Sequence, residues 1–283
     1  MRRFGIALVA LLALLASPDV VGAHGLVGRY ESPLPLAVYL SGAGLAVALS
    51  FALVLLRDVR ATTPTPSRII VVPRILRIGL RGLGLLAWLW IAVQALVGDG
   101  GDADVASLFL WVYGWVGLAL LSALAFPFWH WLDPFATLHD LGAALLRRLG
   151  VAAWDPAPYP ARLGRWPAVA GFAFFIWIEL VALFGLGGRA AGIVMLGYTV
   201  LTLVGMGQFG RDTWRANGET FSVWFGTLGR LAPYGLAPGR DDAVVRRPFA
   251  SGLLDPDWSA ARITLVALGT GSIIYDGLSQ TRA

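Results

Sequence analysis

Long apolar stretches separated by short clusters of charge organise almost the whole chain. Residues 34–56 (LPLAVYLSGAGLAVALSFALVLL) carry no charge, and as helix they reach about 35 Å, enough for a bilayer core of roughly 30 Å. Further stretches of spanning length occupy 78–97, with Arg81 near its start and Gln94 inside it, then 106–126, 166–186 with Glu179, and 190–210. A sixth, at 259–275, is shorter, has Arg262 near its start and contains Gly269-Thr270-Gly271. The pattern predicts an all-α fold, a polytopic transmembrane helix bundle of about six spans.

The apolar run at the N-terminus is of a different kind. Arg2 and Arg3 precede an apolar run from Phe4 to Ala16, then a Ser17-Pro18 break and small residues at Val21-Gly22-Ala23. The run is too short to span, so residues 1–23 read as a cleaved signal peptide. The mature chain then begins at His24, and 24–283 form a single transmembrane helical domain. Two connections between spans are long. The first, 127–165, predicts a surface helix near 135–149 and a linker rich in proline at Pro156, Pro158 and Pro160. In the second, 211–258, the stretch 213–231 mixes aromatic residues with Arg and Glu, as a segment lying in the interface or re-entering the membrane does. Glycines inside the spans, such as Gly82, Gly84 and Gly205, allow close helix approach. Trp129, Trp131, Trp166 and Trp258 sit at span ends and suit the interfacial belt.

Composition supports this picture. Hydrophobic residues make up 57% of the chain and charged residues only 14%, against roughly 25% charged in a soluble domain. All 22 basic residues are Arg, and they outnumber 17 acids to give +5. They fall in the gaps between apolar runs, as orientation charge does, which argues against a nucleic-acid partner. The signal's two aside, 17 Arg lie on one side of the six-span path and only Arg29, Arg189 and Arg282 on the other. That split puts the mature N-terminus outside and the Arg-rich loops on the cytoplasmic side of a plasma membrane. The lipid bilayer is the first partner, and a membrane subunit or a second copy is a further one. The absence of Cys excludes disulfides, thiolate metal sites and cysteine nucleophiles.

Chemistry must therefore come from His, carboxylates, hydroxyls or Arg. Glu179, in FFIWIELVALF, is the acid deep within a span; it is protonated, paired or facing a wet cavity. A hydrogen bond to Tyr198, Thr199, Thr202 or Gln94 that fixes helix packing is the structural alternative. Asp276, in SIIYDGL, lies near the outer end of the sixth span and is a second candidate, or a helix-end cap. His130 and Asp133 are three apart in PFWHWLDPF and can share a helical face as base or metal ligand, or serve as an interfacial anchor. His139 and Asp140 follow on the surface helix. Arg215 and Glu219 are spaced for an i,i+4 ion pair. His24, freed by cleavage, offers an amine and an imidazole that together suit copper. The chain has no P-loop, GxSxG, HExxH or HxH, and three histidines are too few for a binuclear zinc centre of the soluble phosphotriesterase kind.

Several stretches resemble bacterial multi-pass membrane proteins known as fenitrothion hydrolases: HGLVGR at 24–29, YPARLGRWPAVAG at 159–171, WIEL at 177–180, GETFSVWFG at 218–226 and YDG at 275–277. The resemblance spreads over most of the mature chain, and GETFSVWFG is its most specific part. It implies hydrolysis of organophosphotriesters, with water displacing a nitrophenolate. In that reading Glu179 is general base or metal-adjacent carboxylate, Asp276 or His130 assists, and a divalent metal is a possible cofactor. The alternative from another class is a proton- or ion-coupled permease subunit in which Glu179 takes up a proton or cation. A third is copper handling through His24.

Overall fold

The computed structural model describes residues 68–97, 108–151, 155–182 and 188–279, with single helical positions between 41 and 52. His24, the signal segment, most of the first predicted span and the acidic stretch 98–105 lie outside the described residues. The chain is mostly helical, as its apolar runs predict. Strand β1 (Arg68–Val71) leads into α1 (Arg74–Val97), and a π-helical stretch, Leu108–Gly117, runs into α2 (Leu118–Leu124). Then come α3 (Trp129–Leu132), α4 (Pro134–Arg148) and α5 (Trp166–Trp177), the last widening into a π-helical turn, Ile178–Ala182. Helix α6 (Gly188–Phe209) is followed by α7 (Arg211–Asn217), α8 (Thr220–Leu228), strands β2 (Tyr234–Leu236) and β3 (Ala243–Arg246), and α9 (Ala260–Ser279).

Two of these helices, α1 and the Arg189–Phe209 part of α6, are long and apolar enough to cross a membrane. They pack antiparallel: Gly192 near the start of α6 lies against Ala95 and Leu96 near the end of α1. Midway, Trp88 Nε1 donates to Thr199 Oγ1 at 3.1 Å. Their outer faces leave Ile75, Leu83, Leu86, Val97, Ile193 and Val200 exposed, an apolar surface of the kind that contacts lipid or another protein.

Helices α5 and α9 lie together and parallel. Arg165, which precedes α5, and Arg262, in the first turn of α9, both hold the Asp257 carboxylate. Helix α9 is longer than its sequence suggests because Gly269 is a packing position, not a break. A Cβ there would overlap the Trp224 ring. Gly84 serves likewise on α1, where a Cβ would overlap the Leu132 carbonyl.

Among the described residues the fold departs from an all-α reading in one element, a three-stranded antiparallel sheet of order β1-β3-β2 with Ile69 opposite Val245 and Gly235 opposite Val245 on the other edge. Its strands are three or four residues long and β1 pairs with a segment far along the chain, so no local periodicity announces it. The sheet sits beside α3, where Val72, Phe126, Trp131 and Val244 form a small cluster. Trp129 and Trp131 are accordingly buried, not exposed in an interfacial belt. The main core gathers Phe135, Phe172, Met206, Phe225 and Leu265, all essentially inaccessible, with Trp224 stacked on Phe172 at 4.6 Å. These residues lie near the start of α4, midway along α5, in the first third of α9, near the end of α6 and on α8. The dense packing is thus at one end of the bundle, the end where the arginines converge.

Candidate functional site

Two buried carboxylates organise the arginine-rich end, and each caps a helix. Asp133 precedes Pro134, whose ring fixes the first helical φ of α4, and its Oδ1 accepts from the Phe135 and Ala136 amides at 2.9 and 3.0 Å. Its Oδ2 accepts from Arg215 Nε at 2.7 Å, and Arg215 also donates to the His130 carbonyl at 2.8 Å. Burial pushes the Asp133 carboxyl up to about 6 against the opposing pull of Arg215 and the Ala136 amide.

Glu219 caps α8 in the same way, accepting from the Phe221 and Ser222 amides at 3.0 and 2.6 Å. Tyr198 Oη donates to it at 2.6 Å and Trp129 Nε1 at 3.1 Å. The i,i+4 pair of Arg215 with Glu219 therefore does not form: α7 ends at Asn217, and Glu219 turns inward as a cap while Arg215 reaches Asp133. Glu219 accepts from four donors and Asp133 from three, and both act as structural caps. Asp140, expected on a solvated face, takes Arg81 and, at 2.7 Å, Arg211. Burial alone would raise its pKa, but these two guanidiniums outweigh it and hold it below the usual carboxylate range.

The remaining groups at this end are arginines, His130 and the exposed carboxylates Asp212, Asp241 and Asp255. His130 is largely buried, and that burial, then the Arg215 guanidinium, push its imidazole down to about 3. It is uncharged at neutral pH. Its Nε2 lies 3.8 Å from Asp241 Oδ1, too long for a hydrogen bond. Beside it opens a cleft of about 630 Å³ whose wall includes His130, Arg215, Ser222, Gly226, Arg230 and Arg247, a size suited to a small organic ligand. The Ser222 hydroxyl is buried without a hydrogen-bond partner. Arg247 is held by the Ala232 and Gly229 carbonyls at 3.1 and 2.6 Å. Arg230 lies 4.7 Å over the Trp258 ring, with Asp255 Oδ2 at 3.4 Å.

Glu179 and Asp276 form a separate pair. Glu179 lies on the π-helical turn that ends α5, within electrostatic reach of Asp276 near the end of α9. Thr199 and Tyr198, both weighed as partners for Glu179, are engaged elsewhere, Thr199 with the Met195 carbonyl and Trp88, and Tyr198 with Glu219. Glu179 lies thirteen residues along the helix from Trp166, about 20 Å, and lines neither cavity beside His130. The four candidate catalytic residues thus form two sites, His130 with Asp133 and Glu179 with Asp276. Among the described residues no group of three His, Asp or Glu is placed to hold a metal ion, and His24 lies outside them. What sequence reading missed is Arg247, Ser222 and the capping role of Glu219. The last had a signal, since Gly218 interrupts the helix just before it.

No family model, no curated protein and no solved structure matches this chain.

Proposed function

We propose that the chain is a six-span protein of the bacterial plasma membrane, its arginine-rich end cytoplasmic, that hydrolyses organophosphotriesters in the cleft beside His130. The observation that carries this reading is that GETFSVWFG, the most specific stretch of the resemblance, supplies Ser222 and Gly226 to the cleft wall, facing arginines and an uncharged histidine. A neutral triester enters from the apolar phase, with its phosphoryl oxygen toward Arg215 and Arg247. Water attacks phosphorus, the bond to the nitrophenolate breaks, and the negative charge that develops on the phosphoryl oxygen is stabilised by the guanidiniums. His130 accepts the proton of the attacking water. Its basicity, depressed by burial and Arg215, rises as anionic charge forms beside it. Membranes containing the protein should hydrolyse a nitrophenyl phosphotriester above vector membranes, and Arg247→Gln should lower kcat by about a hundredfold. Equal rates in protein-containing and vector membranes would dismiss the reading.

The carboxylate pair favours a second reading. Two acids within electrostatic reach of each other on parallel apolar helices, one on a π-helical turn, suit uptake of a proton or cation by a permease subunit. Proteoliposome uptake that ignores both a proton gradient and Glu179→Gln would count against it.

A further inference from the structure

We propose that a second, smaller cavity, between the first turns of α1 and α7, binds a phosphate-type oxyanion. Arg77 and Arg81 of α1 and Arg211 and Arg215 of α7 line a space of about 130 Å³, closed by His130 and Asp133, room for one tetrahedral anion. Four guanidiniums face two acids that are buried or half-buried, Asp133 and Asp140. Of the other nearby carboxylates, Asp212 and Asp241 are exposed, at 69% and 74% of their side chains, and water screens them, while Asp242 is neutralised by Arg240 at 2.9 Å. The inner wall therefore holds two positive charges in excess, and donors remain unfilled. Arg77 Nε is buried without a hydrogen-bond partner, and Arg215 Nη1 lies 4.0 Å from Asp212 Oδ1, beyond hydrogen-bond length. An oxyanion supplies acceptors for both, and guanidinium forks match its geometry.

The anion has two possible sources, and the position bears on them. The α1 surface beside Arg77 exposes Ile75, Leu76 and Ile78, so the cavity stands where apolar surface gives way to arginine. A lipid headgroup phosphate occupies such a level, and basic pockets at the cytoplasmic ends of spans take headgroups; free phosphate offers the same chemistry from solution. The site does not rest on the hydrolase reading, because Arg77, Arg81 and Arg211 do not line the larger cleft.

The test is thermal unfolding of the purified full-length protein in two arms. In detergent, inorganic phosphate is titrated against chloride at equal ionic strength; in nanodiscs, phosphatidylcholine alone is compared with phosphatidylcholine plus phosphatidylglycerol. A rise in Tm with phosphate assigns a free oxyanion, and a rise confined to phosphatidylglycerol discs assigns a headgroup. In either case Arg77→Gln should weaken the response by at least about tenfold, and Arg77→Lys should retain part of it. No rise in either arm, or an Arg77→Gln response equal to that of the unaltered protein, overturns the site.

Discussion

Charge is handled differently at the two ends of the bundle. At the arginine-rich end, Glu219 and Asp133 are 0% and 1% exposed, and both are held by backbone amides and side-chain donors. At the other end, Glu179 and Asp276 are like charges within reach of each other on parallel helices. Acids thus serve as helix caps where the core is dense, whereas at the far end two acids lie within electrostatic reach of each other on parallel helices. A buried carboxylate is informative about function only once its donors have been counted.

The largest effect that would break this contrast is at Glu219. Glu219→Ala leaves two amides, Tyr198 Oη and Trp129 Nε1 without their shared acceptor in a dry core, and should cost at least about 3 kcal/mol of stability, read from denaturant unfolding in detergent. Asp133→Ala removes a helix cap and strands Arg215, a loss of about 3 kcal/mol in the same measurement. A loss under about 1 kcal/mol for either would mean these carboxylates are not the structural anchors described.

The pH dependence is smaller and has a definite sign. His130 titrates near 3 when folded and near 6.5 when unfolded, so between these values the unfolded chain binds a proton that the folded chain refuses. Its contribution is full above pH 6.5 and is lost as pH falls toward 3. Asp133, raised to about 6 from 3.8, acts oppositely between those two values and partly offsets the decline. Stability of the unaltered protein minus that of His130→Asn, measured from pH 7 to 4, isolates the histidine and should shrink as pH falls. The smallest expected effect is at the far end: Glu179→Gln removes the electrostatic interaction with Asp276 and should change stability by less than about 1 kcal/mol.

Much of the helical framework was legible because apolar length is a local signal. The runs at 78–97, 166–186 and 190–210 correspond to α1, α5 with its π-helical turn, and α6, and the surface helix at 135–149 is α4. Their boundaries shifted where a cap decided the end, as with Asp133 and Pro134. The sheet was illegible, since RIIV and AVVR are each too short to signal a strand and become one only by pairing. The candidate residues were legible as types but not as partners. Arg215 with Asp133 and Trp129 with Glu219 are contacts between segments distant in sequence, and the spacing that suggested Arg215 with Glu219 was overruled by the break at Gly218.

The most direct test of the central claim is hydrolysis of a nitrophenyl phosphotriester by membranes carrying the unaltered protein, His130→Asn, Glu179→Gln or vector alone. The cleft account predicts activity above vector, a fall of about a hundredfold in His130→Asn, and a rate near the unaltered one in Glu179→Gln. Activity abolished by Glu179→Gln and unchanged by His130→Asn would contradict it and move the chemistry to the opposite end of the bundle.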